Sequence, residues 1–136
     1  MGSLRLDAPG SHYVDLFDAA GFRLYPGEAE ATFLVHGDEL TVALPVEDGA
    51  PEPASVEAAR AVLAVLPELH DQAVAYLLGL PGWPYGDDLL LWIVLVQPDN
   101  VRLCFRQESV NDEQVIGFRR EADGWAFTGP DPRQRG

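Results

Sequence analysis

The sequence predicts an α+β domain: an antiparallel β-sheet of about six to eight strands, made of N-terminal hairpins and a C-terminal meander, packed against a central helical hairpin. Three observations predict it. Short alternating or wholly apolar runs occupy both ends of the chain, apolar stripes at helical spacing fill residues 55–78, and turn residues separate the runs. Strands interrupted by one helical block are the pattern of a sheet with helices on one face. At 136 residues the chain is one domain, placed at residues 1–129, with 130–136 as a frayed tail.

Taken in order, Tyr13 to Phe17 alternates as a strand does, and Gly21 to Tyr25 alternates again before Pro26. Ala31–Val35 and Leu40–Leu44 flank the turn His36-Gly37-Asp38-Glu39 and read as a hairpin. Glu47 to Pro53 combines breakers and acids without periodicity, the composition of a linker. Ser55 opens a helix, because its hydroxyl can accept the free N–H groups of the first turn. Glu57 follows where the helix dipole favours an anion. Val56, Ala59, Val62, Leu63 and Leu66 form one stripe. Pro67 lacks an N–H, so it kinks this helix or starts a second one. The second runs from Glu68 to Leu78, buries Leu69, Ala73, Tyr76 and Leu77, and stops at Gly79 and Pro81.

Pro81 to Asp88 is a loop. Leu89 to Gln97 is the strongest strand, apolar on both faces, and such a strand belongs in the middle of a sheet with both faces covered. The helices cover one side, and the N-terminal hairpin or a second copy of the chain covers the other. Pro98-Asp99-Asn100 turns the chain. Val101 to Arg106, Gln114 to Arg120 and Trp125 to Thr128 are the closing strands, the last two joined by Glu121-Ala122-Asp123-Gly124.

Charge is the strongest functional signal. Residues 1–101 carry sixteen Asp/Glu against three Arg and hold the entire net charge of −13, while residues 102–136 balance to zero. Lys is absent. Such an excess repels nucleic-acid phosphates and favours a cationic partner, so a basic protein is expected and direct nucleic-acid binding is not. The longest unbroken apolar run, Leu89 to Val96, is far short of the roughly twenty residues that span a membrane. The lone Cys104 allows no internal disulfide framework and no Cys-based zinc site. With no signal-peptide pattern at Met1–Leu6, the expected location is the cytoplasm.

No phosphate loop, nucleophile elbow, dinucleotide fingerprint or calcium loop is present, so no cofactor is expected. His12, His36 and His70 show no metal-ligand spacing; His36 shares a turn with Asp38 and Glu39, where such residues ordinarily solvate a hairpin. The expected partner contacts are the acids Asp38, Glu39, Glu47, Asp48, Glu52, Asp87 and Asp88, with Trp83 and Tyr85 as aromatic anchors, because rings that fill pockets beside carboxylates are typical of protein-binding hot spots. An alternative is a small-anion or enzymatic site on the strand face of Arg102, Cys104 and Arg106. Two guanidinium groups there would bind an oxyanion or activate the thiol.

From Ser55 to Gly129 the layout, a helical block followed by a hairpin-rich sheet that ends in a Gly-aromatic strand at Gly124-Trp125, resembles a group of small bacterial domains that look like the immunity proteins of toxin systems. The resemblance rests on architecture and charge. It implies a stoichiometric inhibitor covering a toxin's active site, and it carries no functional residue over to this chain.

Overall fold

The structure is a computed structural model that describes residues 6–83, 89–107 and 113–130. Helix α1 (Gly10–Ala20) comes first, then strands β1 (Arg23–Tyr25), β2 (Glu28–Val35), β3 (Asp38–Glu47) and β4 (Ala50–Pro51). Helices α2 (Pro53–Ala64) and α3 (Leu66–Leu78) follow, then β5 (Leu90–Gln97), β6 (Asn100–Arg106), β7 (Glu113–Glu121) and β8 (Gly124–Pro130). Seven strands lie in the order β1-β2-β3-β5-β6-β7-β8, with β4 paired to β3 alone. The sheet is open and antiparallel except where β3 and β5 run parallel. A tight turn cannot join parallel strands, so the chain makes that step through the helical block. The architecture is the α+β fold expected.

All three helices pack on one face of the sheet. Their buried side chains, among them Tyr13, Phe17, Val62, Leu63, Leu69 and Leu77, form one core with the inward residues of the strands: Ala31, Phe33, Leu40, Val42, Val94, Leu103, Phe105 and Phe118. Strand β5 is central, as its two apolar faces predict. Its second face is not covered by the N-terminal hairpin, because β3 lies beside it in the same sheet. On that face Ile93 and Leu95 are half-buried, while Ala43 and Cys104 beside them are buried.

Five local expectations are corrected. Tyr13 to Phe17 is helical, not extended. Tyr13 and Phe17 are one helical turn apart and both buried, while the Tyr13 hydroxyl accepts a hydrogen bond from the Ala8 N–H at 3.1 Å. Five residues are too few for periodicity to separate the two conformations. The supposed linker 47–53 is a tight hairpin, with Asp48 and Gly49 at φ 53° and 77° joining β3 to β4; two successive positive φ values give a turn whose twist matches its strands. Helix α2 starts at Pro53, not Ser55. Pro53 needs no partner for its missing N–H, Glu52 is the capping position, and the buried Ser55 hydroxyl donates to the Glu52 carboxylate. The helical block bends by 72° at Val65 rather than reversing, because one residue is too little chain for a hairpin. Strand β8 also runs on to Pro130, the first residue of the expected tail; 131–136 lie outside the described residues.

Candidate protein-binding face

The sheet order nearly follows the chain order, so the charge asymmetry of the sequence becomes an asymmetry of the molecule. Strands β1 to β3 belong to the acidic stretch, and β6 to β8 hold Arg102, Arg106, Arg119 and Arg120. On β2 the alternation is strict. Ala29, Ala31, Phe33 and Val35 point into the core, so Glu28, Glu30, Thr32 and Leu34 point to the face that carries no helix. On β3 the same face takes Glu39, Thr41, Ala43, Pro45 and Glu47. Thr32 and Thr41 bond across the pair at 2.8 Å, and Leu34, opposite Glu39, is 61% exposed. The result is a helix-free surface with acids at its ends and an exposed leucine beside a pair of threonines.

Strand β1 adds Arg23 and Tyr25, which sit opposite Glu30 and Glu28. The Tyr25 side chain and the Glu30 carboxylate hold the Arg23 guanidinium more firmly protonated. Phe22, Arg23, Tyr25, Glu30 and Thr32 line a hollow of about 330 Å³ at this edge. Glu28, Glu30, Tyr25 and Leu34 were not among the contacts expected from the sequence. The period-two pattern from Glu28 to Leu34 is the signal that exposes Glu28, Glu30 and Leu34.

The expected contact residues do not gather at one point. Glu39 and Glu47 lie on the helix-free face at opposite ends of β3, eight residues or about 27 Å apart. Asp38 is exposed beside the His36–Gly37 turn, and Asp48 is exposed in the turn at the other end. Glu52 is half-buried at the start of α2. Trp83 is half-buried and packs on the core. Tyr85, Asp87 and Asp88 lie outside the described residues. His36 Nε2 is 2.9 Å from the Asp7 carboxylate, and no cluster of three metal-ligating side chains occurs among the described residues.

The three residues of the alternative site share one face of β6 but differ in environment. Cys104 is fully buried. Arg106 lies 5.2 Å from the centre of the Trp92 ring, whose Nε1 donates to Glu113 at 2.9 Å. The bulge at Trp92, between Leu91 and Ile93, accompanies this arrangement. Arg102 is at the other end of the strand, beside two hollows that contain neither Cys104 nor Arg106.

Two buried polar side chains were not singled out as a site. His70 and Gln107 are 6% and 2% exposed, and none of their ring or amide atoms has a hydrogen-bond partner among the described residues. His70 packs against Phe105 with ring centres 5.6 Å apart. Its Nδ1 lies 3.5 Å from Asp71, so these neighbours approach more closely than adjacent helical positions suggest, although Asp71 is exposed. Burial lowers the His70 pKa, opposed in part by Asp71.

Compared with protein-family models, with curated proteins and with solved structures, the chain matches none. No single helix among the described residues is long and apolar enough to cross a membrane. The bent pair α2–α3 passes on length and composition together, but its stripes are part of the core.

Proposed function

We propose that this protein is a non-catalytic, cytoplasmic binding protein of immunity or inhibitor type that neutralises a basic protein partner, a toxin being the kind of partner its layout suggests. The observation that carries the reading is the concentration of acids on the β1–β3 half of the sheet. The helix-free face of β1 to β3 supplies Glu28, Glu30, Glu39 and Glu47, with Leu34 and Tyr25 as exposed apolar contacts. Asp38 and Asp48 extend it at the two turns. The span of about 27 Å suits a standard interface, which buries roughly 800 Å² on each partner. Complementary charge acts mainly by steering encounter and selecting the partner.

The test is affinity capture from lysate of the source organism, followed by association kinetics with the captured protein. One basic protein should be recovered in near-stoichiometric amount and weakened by salt. Exchanging Glu30 and Glu39 together for Lys should slow association by about tenfold or more at low ionic strength and flatten the salt dependence. Unchanged kinetics in that double variant would remove this face from the interface, and the absence of any salt-sensitive basic partner would sink the reading.

A further inference from the structure

The helix-free face has a second feature, at the arginine-bearing end of the sheet. On β7, Gly117 stands opposite Arg102 of β6 and Gly129 of β8. Gly117 does not have a positive φ, so its backbone conformation would accept any residue. What excludes a side chain is space. A Cβ at Gly117 would lie 2.8 Å from the Thr128 hydroxyl oxygen. The β7–β8 register slips between Gly117 and Phe118, which leaves Thr128 as the extra residue. A glycine inside a strand beside a bulge marks a place where another group approaches closely.

Gly117 lines a hollow of about 360 Å³, within the range of small-molecule sites. Arg102, Arg119, Thr128, Asp99 and Asn100 are among its lining residues. Arg119 stands opposite Asn100 and one step diagonal to Arg102, and both arginines line the hollow. Arg119 gives its Nε and Nη2 to Glu121, and its Nη1 has no acceptor among the described residues. Asn100 donates to Asp99 at 2.8 Å and to Gln97 at 3.0 Å, which holds the Asp99 carboxylate in place as an acceptor.

We propose that this hollow binds a small molecule bearing an oxyanion, a carboxylate or a phosphate, next to a hydroxyl or amino group. Arg102 and Arg119 take the oxyanion in charge-assisted hydrogen bonds, Thr128 adds a third donor, and Asp99 accepts from the neighbouring hydroxyl or amine. The hollow thus groups Arg102 with Arg119 of the neighbouring strand, not with Arg106 of its own. The site is independent of the acidic face and of any protein partner.

The test is a titration of the full chain with inorganic phosphate and, separately, with malate, at constant ionic strength, followed by amide NMR shifts. Saturable shifts centred on Gly117, Thr128 and Gly129 are expected with at least one probe, and the probe that saturates identifies the oxyanion. Arg102→Gln should weaken that binding by about tenfold or more, as loss of a charged hydrogen-bond partner does. If that variant does not fold, Thr128→Val should weaken it several-fold instead. Non-saturating shifts with both probes would overturn the proposal, and so would saturable binding that a folded Arg102→Gln leaves unchanged.

Discussion

At the scale of single residues, His70 places a polar ring in the core. Leaving a buried polar group without a partner costs about 1–3 kcal/mol, and here both ring nitrogens are buried. Because burial lowers its pKa in the folded protein, the unfolded chain takes up the proton first as pH falls. The folded state therefore has its full stability above the unfolded value of about 6.5 and loses it as pH drops toward the depressed folded value. His70→Leu should be at least as stable as the parent at pH 7.5 and clearly more stable at pH 5.5, measured by urea unfolding. A variant that loses about 2 kcal/mol and keeps the parent's pH dependence would show that the ring nitrogens are partnered after all.

At the scale of elements, the contact between α1 and α2 depends on one glycine. A Cβ on Gly10, the first residue of α1, would run into the backbone carbonyl of Ala64 at the end of α2. A backbone atom cannot swing aside as a side chain does, so α1 itself would have to move. Gly10→Ala should therefore destabilise by about 1–3 kcal/mol, the usual cost of overpacking, although alanine favours a helix over glycine. A denaturation midpoint equal to or above that of the parent would show that α1 can shift without loss. The neighbouring junction explains the bend of α2 into α3. Val65 alone separates the helices, and Pro67 in the first turn of α3 has no N–H to continue the α2 ladder.

At the scale of the whole molecule, the charge is only partly compensated by the fold. Arg60 meets Asp18 at 2.9 Å, and Arg120 grips Glu57 through two bonds of 2.7 and 2.8 Å that tie β7 to α2. Arg120 also lies 5.5 Å from the centre of the Trp125 ring. These contacts use few of the twenty-two acids, and the net charge of −13 leaves self-repulsion dominant. Raising salt from about 10 to 150 mM should thus raise the melting temperature by roughly 2–5 °C, because screening weakens repulsion between exposed charges more than it weakens close pairs. A fall in melting temperature would mean that specific ion pairs outweigh the repulsion. The helix-free face bears on assembly too. It carries the exposed Leu34 and the half-buried Ile93 and Leu95, and the proposed partner would cover its acidic side.

The class of fold, the hairpin around His36–Gly37, the stripes of α2 and α3, the central place of β5 and the meander after it were all legible in the sequence, because each rests on local periodicity or on turn chemistry. The acidic stretch was legible as well, since charge can be counted without knowing the fold. Where local signals were short or mixed, packing decided. Tyr13 and Phe17 became helical to bury both rings on one side, and the Asp48-Gly49 turn made strands of a stretch that reads as a linker. The parallel step from β3 to β5, the bulges at Trp92 and Thr128, and the placing of Arg102 and Arg119 around one hollow depend on which strands become neighbours and in what register. Those are contacts between residues distant in the chain, and only the tertiary structure determines them.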